Sequence, residues 1–280
     1  MIKKFKNFII KILNLFGYRI VGIKKLVKHN NFDSIHQFLI NTMTGNNQNI
    51  IIFDVGTNDG GSILRFKKIF EKSQIHCFEP TERLLNNIKD SFNLDNIKLN
   101  NIALGSQISE RNFFFYNSHR VSSFYPMEDS SKYKIQRTIK RLDDKKEVVK
   151  KIKVITLDHY CLNNNINHIN LLKIDTQGSE AEVLQGAVEL LKKEAIDVIE
   201  LEYILGIAHK DSNSLNDIES VLSEFGYRLI AIESSGNILS FSNYQTNLIY
   251  VKKEIFEKIK DMHEKNVDIK DITYSVKADS

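Results

Sequence analysis

Five acids in this chain sit at the ends of apolar runs, where a carboxylate would do chemistry rather than decorate a surface. Ile50-Ile51-Ile52-Phe53 runs into Asp54, Gln74-Ile75-His76-Cys77-Phe78 into Glu79, and Ile169-Asn170-Leu171-Leu172-Lys173-Ile174 into Asp175. Asp197 to Leu201 carries Glu200, with Glu202 just beyond. A carboxylate at a strand end can accept hydrogen bonds from hydroxyls, balance a cation, take up a proton or ligate a metal through oxygen. After Asp54 come Gly56, Asn58, Gly60 and Gly61. Glycines without a Cβ let backbone N–H groups and a helix N-terminus come close to a ligand. Glu79 follows Gly60 by nineteen residues, about the spacing at which a nucleotide-binding α/β fold places the acid that holds a ribose.

Elements of alternating type must position these groups. Residues 1 to about 45 read as two helices, the second with Ile35, Phe38, Leu39 and Met43 on one face. The polar stretch 44–49 is the best boundary, which divides the chain into a helical extension (1–45), an α/β domain (46–252) and a charged tail (253–280). Within the domain, strands are expected over 50–54, 74–79, 97–103, 169–175, 197–201, 227–232 and 247–251. Helices are expected over 61–72, from about 81 to 91, from Gly178 through Leu191, and over 215–225. Two further strands, 111–116 and 147–157, stand outside the rhythm and suit a pair. Between them a polar loop of residues 117–144, rich in Ser, Arg and Tyr, is either a binding lid or a surface excursion. The expectation is an α/β, doubly wound, Rossmann-like sheet of about seven strands with a closing antiparallel hairpin and N-terminal helices.

Four segments in this order carry a resemblance. Asp54-Val55-Gly56-Thr57-Asn58-Asp59-Gly60, Phe78-Glu79-Pro80, Asn101-Ile102-Ala103-Leu104-Gly105, and Leu172-Lys173-Ile174-Asp175-Thr176-Gln177-Gly178-Ser179-Glu180 resemble the D-V-G-x-N-x-G, F-E-P, N-x-A-L-G and K-I-D-x-E-G-x-E motifs of the FkbM-like S-adenosylmethionine-dependent methyltransferases. The departure is Gln177, where that family usually has Glu. The resemblance implies S-adenosyl-L-methionine as cofactor and a sugar, glycan or other small-molecule hydroxyl as acceptor. The residues fit such a donor. Glu79 can accept from both ribose hydroxyls, Gly56 and Gly60 let the chain pass under the amino-acid portion, and Asp54 can receive its ammonium. Asn58 either bonds the carboxylate end or fixes the turn, and Ile102 would lie against the adenine. Asp175, Lys173 and Glu200 are the catalytic candidates, and carboxylates on two adjacent strand ends could hold a divalent cation, whose presence stays open. For acceptor binding the candidates are His119, Ser122, Ser123 and Tyr125, with His209 a second loop histidine. Arg111, Arg120, Arg137 and Arg141 are available for phosphate or hydroxyls.

Composition sets the outer bounds. The 280 residues, 42% hydrophobic, can fill a full core. Net charge is +4 from 39 basic and 35 acidic residues. Lysines are scattered, so nucleic acid is not an expected partner. Cys77 and Cys161, the only cysteines, suggest no disulfide framework and a reducing, cytoplasmic setting. Residues 1–18 alternate apolar residues with Lys3, Lys4, Lys6 and Lys11 at helical steps. That pattern suits either a helix lying on an anionic membrane surface, giving peripheral contact, or one packed on the domain. Two other functions compete. A nicotinamide-dependent oxidoreductase would want a glycine where Asn58 stands, and a non-catalytic membrane-surface or glycan-assembly partner would keep the fold without turnover.

Overall fold

The computed structural model describes residues 32–44, 50–116, 118–128, 148–205, 209–233 and 245–264. The expectations for residues 1–18, the 45–49 break, Arg137 and Arg141, and the tail past residue 264 lie outside the described residues. From Asp33 onward the described residues belong to one compact unit. It includes all but the first residue of helix α1 (Phe32–Thr44), whose Leu39 and Ile40 are buried.

The elements alternate as the apolar runs require. Strand β1 (Ile51–Val55) leads to α2 (Gly61–Ile69), β2 (Gln74–Phe78) to α3 (Glu82–Ser91), and β3 (Ile97–Asn100) follows. Strand β7 (Ile169–Ile174) leads to α5 (Glu180–Gln185) and α6 (Val188–Lys192). Strand β8 (Ile196–Ile204) leads to α7 (Leu215–Glu224), and β9 (Arg228–Ile232), β10 (Gln245–Val251) and α8 (Lys253–Glu264) close the chain. The seven strands form one sheet in the order β3-β2-β1-β7-β8-β10-β9. Strands β3, β2, β1, β7 and β8 pair in parallel, and β10 is antiparallel to both β8 and β9. The near-continuous apolar runs of β1 and β7 follow from burial on both faces. The chain reverses its direction of winding between β1 and β7, and a ligand crevice in such a sheet opens at the carboxyl ends beside that reversal.

A smaller sheet carries β4 (Ala103–Leu104), β6 (Val148–Ile155) and β5 (Ser109–Phe115), with β6 antiparallel to β5. This is the expected pair outside the rhythm. Of the boundaries that differ from the sequence pattern, three have a plain local reason. The strand expected to Leu157 stops at Ile155, because the Thr156 hydroxyl accepts from His159 N–H and starts helix α4 (Leu157–Asn163). The 97–103 strand breaks where the Asn101 amide donates to the carbonyls of Glu79 and Pro80. The helix after Gly178 divides at Gly186, which packs against the Gly105 carbonyl.

Helices α4, α5, α6 and α7 bury their apolar faces with Phe53, Phe78, Leu172 and Ile174 on one side of the large sheet. The other side is polar at its centre. Asp54, Lys173 and Glu200 are in-register neighbours on β1, β7 and β8 and are all buried. Arg65 of α2 and His36 of α1 reach Glu200 from above. Among the described residues no helix is long and apolar enough to cross a membrane.

Candidate active site

At the carboxyl ends of β1, β2 and β7 the chain leaves a cavity of about 380 Å³. Its floor is the turn after β1. Gly56 N and Thr57 N both donate to the Phe78 carbonyl, and the Thr57 hydroxyl donates back to the Asp54 carbonyl. Gly56 has φ +84, and a Cβ there would stand 1.9 Å from the Asp175 carbonyl oxygen. That conformation and that proximity admit only glycine. Gly60 also has a positive φ, but a Cβ on it would meet Phe92 and Ile88, so it serves helix packing. Gly61 and Ser62 line the cavity; Gly60 does not.

Two carboxylates flank this turn: Glu79 lines the cavity, and Asp54 is buried behind the lining. Asp54 is fully buried, and Ser62 Oγ donates to its Oδ2 at 2.5 Å. Its Oδ1 has no hydrogen-bond donor, with Lys173 Nζ 3.7 Å away. A buried carboxylate oxygen without a donor is costly unless a ligand supplies one. Glu79 Oε2 accepts from Asn58 N and Oε1 from Thr81 N, at 3.1 and 2.8 Å. Each oxygen keeps a second lone pair. Burial raises the Glu79 carboxyl above its ordinary value, against the pull of those N–H groups toward the charged form.

The wall opposite is the segment after β7. Glu180 folds back so that its carboxylate accepts from Thr176 N, Thr176 Oγ1 and Gly178 N, which fixes the turn Asp175–Gly178. Asp175 Oδ2 accepts from Lys173 Nζ at 3.2 Å. Burial would depress Lys173, but the charges of Asp175, Asp54, Glu200 and Glu202 outweigh it and raise the ammonium well above its ordinary value. Lys173, Asp175, Gln177 and Glu202 all line the cavity.

Glu200, the third catalytic candidate, is placed elsewhere. It is 1% exposed and clamped by both terminal nitrogens of Arg65, with His36 3.1 Å away. Burial raises its carboxyl, but His36 and Arg65 overcome this and hold it below the ordinary range. One pleat further along the same face of β8, Glu202 occupies the cavity wall that sequence reasoning assigned to Glu200. The period-two spacing of Glu200 and Glu202 was the signal for a shared face; their depth is set by strand register.

The loop of residues 118–128 forms the remaining side. His119, Arg120 and Ser122 line the cavity, and His119 Nδ1 faces Asn58 Oδ1 in a hydrogen bond. Asn58 thus joins floor and loop. Arg120 pairs with Asp59 at 3.2 Å. Ser123 and Tyr125 face away. Ser123 Oγ donates to the Gln177 carbonyl at 2.8 Å, and the Tyr125 hydroxyl donates to Glu182. Arg111 is also committed to Glu182 and stacks on Phe124. His209 is buried, with Nε2 against the Val121 carbonyl. Ile102 packs against the main core, leaving Ala103 and Leu104 as the apolar lining at that point. Arg65, Ser62, Gln245, Phe113 and Phe124, which no motif or spacing marks, also line the cavity, from α2, β10, β5 and the loop. Among the described residues no group of three or more His, Cys, Asp or Glu could hold a metal ion.

The profile of the Methyltransferase FkbM domain matches residues 54–229. The 2-O-methyltransferase NoeI of Sinorhizobium fredii (strain NBRC 101917 / NGR234) is 26% identical over 148 residues, which are 51% of this chain and 59% of that protein. Solved structures of similar shape include the magnesium protoporphyrin IX methyltransferase ChlM of Synechocystis PCC 6803 with bound SAM. It has a TM-score of 0.41 and 11% identity, and the match covers 86% of this chain and 88% of that one. A SAM-dependent methyltransferase from Aquifex aeolicus matches with a TM-score of 0.38 and 12% identity over 82% of this chain and 98% of that one. At those scores the fold class rests on the strand order itself.

Proposed function

From the premise that the chain belongs to the Methyltransferase FkbM domain family, we propose that it transfers a methyl group from S-adenosyl-L-methionine to a hydroxyl of a sugar, glycan or glycolipid. The observation that carries this reading is Glu79, which faces the cavity beside the Gly56 turn with both carboxylate oxygens anchored by backbone N–H groups and a lone pair free on each, while behind that turn the buried Oδ1 of Asp54 lacks a hydrogen-bond donor. A methyl donor with an ammonium, a ribose diol and a sulfonium presents partners for both carboxylates. When bound, it supplies a carbon already activated toward displacement by a thioether leaving group.

The chain's own residues then bind and orient. Asp54 receives the ammonium, directly or through a water, and the free lone pairs of Glu79 take the two ribose hydroxyls. Ala103 and Leu104 offer apolar surface to the base, and the backbone at Gly56 lets the amino-acid portion lie flat. Positioning of this kind supplies much of the rate in an in-line displacement. The acceptor enters between the 118–128 loop and the strand ends, where His119, Arg120 and Ser122 offer polar contacts. At the reacting end stand Asp175 and Glu202, which favour a neutral hydroxyl over a phosphate. The 2-O-methyltransferase name of the relative points the same way. No dinucleotide is favoured, since Asn58 fills the second glycine position of that fingerprint and is tied to Glu79 and His119.

Calorimetry with S-adenosylhomocysteine tests the donor assignment. The parent protein is expected to bind, and Glu79→Ala to lose roughly 30-fold or more in affinity, as expected for about 2 kcal/mol of charge-assisted hydrogen bonding. No binding by the parent, or equal binding by both, removes the assignment. Incubation of extracts with labelled S-adenosyl-L-methionine then identifies the methylated product and the acceptor class.

A further inference from the structure

Two carboxylates on neighbouring strands meet over a single donor. Gln177 Nε2 donates to Asp175 Oδ1 at 2.9 Å and to Glu202 Oε2 at 2.8 Å. Gln245 Nε2 reaches the same Glu202 oxygen at 3.1 Å from β10. Gln177 is itself held in place: its φ is +58, its carbonyl receives the Ser123 hydroxyl, and Glu180 pins the turn around it. Its side chain is buried although it faces the cavity. A Glu at this position, as in the resembling motif, would bring a third carboxylate and no N–H donor.

Two like charges this close in a buried site favour one proton between them. The surroundings decide where it rests. Lys173 of β7 lies on Asp175 and also faces the charges of Asp54 on β1 and Glu200 on β8, while Glu180 of α5 adds negative charge beside Glu202. Burial, then repulsion from Asp175, pushes the Glu202 carboxyl up to about 9. Burial also acts to raise Asp175, but Lys173 and the hydrogen bonds from Glu202 and Gln177 lower it.

Resting on the methyl-transfer reading, we propose that Asp175 and Glu202 are a proton-sharing pair, aligned by Gln177 as positioning residue, whose Asp175 member takes the proton of the acceptor hydroxyl. An oxygen lone pair of the hydroxyl forms the bond to the methyl carbon, and the carbon–sulfur electron pair leaves with sulfur. The O–H electron pair stays on oxygen, and the proton passes to Asp175. One positive charge disappears at sulfur and one negative charge at the carboxylate. A weak base suffices, because the hydroxyl proton becomes strongly acidic as the new bond forms. Glu202, already protonated, keeps the second charge out of the site and leaves Asp175 as the single anion of the pair.

The test uses the full chain labelled with ¹³C at Asp and Glu carboxyls. A pH titration by NMR is expected to show one carboxyl titrating well above pH 7, absent in Glu202→Gln and displaced in Gln177→Glu. With the acceptor in hand, Gln177→Ala is expected to lower kcat ten- to hundredfold and shift the pH profile, while S-adenosylhomocysteine affinity stays within threefold. Absence of any carboxyl titrating above pH 7, its survival in Glu202→Gln, or an unchanged kcat profile in Gln177→Ala overturns the pair even with donor binding intact. A parent that binds no S-adenosylhomocysteine removes the methyl-transfer reading and the catalytic role with it, whatever the titration shows.

Discussion

Among the glycines, Gly56 carries the tightest constraint. Its φ of +84 and the Asp175 carbonyl 1.9 Å from its Cβ position are two separate penalties for any side chain. Gly56→Ala is expected to cost about 2–4 kcal/mol. That lowers Tm by roughly 5–15 °C for a domain of this size. Gly61, at the first position of α2, would bring its Cβ only to 3.5 Å from Asp59 Oδ1. Gly61→Ala is expected to leave Tm within about 2 °C, since alanine favours a helix. Equal losses in calorimetric melting would show that the approach of β7 to this turn is not the constraint. Asp54 and Glu79 stand on either side of Gly56, so the same close approach that excludes a side chain also brings β7 against the cavity floor.

The element that decides the shape of the cavity is the 118–128 loop, and it is strapped at several points. Phe114 and Ser123 bridge, Met127 N donates to the Tyr116 hydroxyl, Lys210 N donates to the Pro126 carbonyl, and His209 reaches the Val121 carbonyl. The Ser123 hydroxyl ties the loop to Gln177. Because that hydroxyl and carbonyl are buried, Ser123→Ala is expected to cost about 1–3 kcal/mol in urea unfolding, more than an exposed hydrogen bond would. A cost below about 0.5 kcal/mol would show that the strap does not hold the loop. Since Gln177 sits at the other end of this bond, the same variant is expected to lower kcat with little change in S-adenosylhomocysteine affinity. Expectations of Ser123 and Tyr125 as acceptor contacts gave way to this structural role because the loop turns them inward, toward Gln177 and Glu182.

For the whole molecule, buried neutral histidines set a pH limit. His76 is 2% exposed, stacks on Phe53, and has Nδ1 2.8 Å from the Tyr160 hydroxyl, which donates to Asn100. Nδ1 therefore carries the proton, and a second proton on Nε2 would face no acceptor. Burial, with Lys98 adding to it, lowers His76 to about 4, and burial lowers His36 likewise. Between about pH 6.5 and 4 the unfolded chain binds the extra proton and the folded one does not. Each histidine's contribution is thus complete above about pH 6.5 and is lost as pH falls, by up to about 1.4 kcal/mol per unit. Raised carboxyls such as Glu202 work in the opposite direction, so the comparison that isolates the effect is wild type against His76→Phe. The variant is expected to lose stability less steeply by about that amount per unit between pH 6.5 and 4. Parallel curves in denaturant titrations at several pH values would refute it.

Everything that depends on neighbours along the chain is legible in the residues alone. Apolar runs that end in Asp54, Glu79 and Asp175, glycines after the first, and an alternation of periods two and 3.6 define an α/β sheet with its acids at strand ends. The off-rhythm pair and the closing hairpin follow from the same patterns. Depth and partnership emerge only when distant segments pack together. Glu200 and Glu202 share a face by period, but the pairing of Lys173 with Glu200 sets the first under Arg65 and the second at the cavity. Gly56 and Gly60 read alike in sequence, yet one meets Asp175 and the other Phe92. Gln177 reads as a lost charge, and becomes a bridge once β8 brings Glu202 beside Asp175. Local pattern fixes which face a residue takes, whereas contacts between segments far apart in the chain depend on register and loop closure, which leave no periodic trace in the sequence.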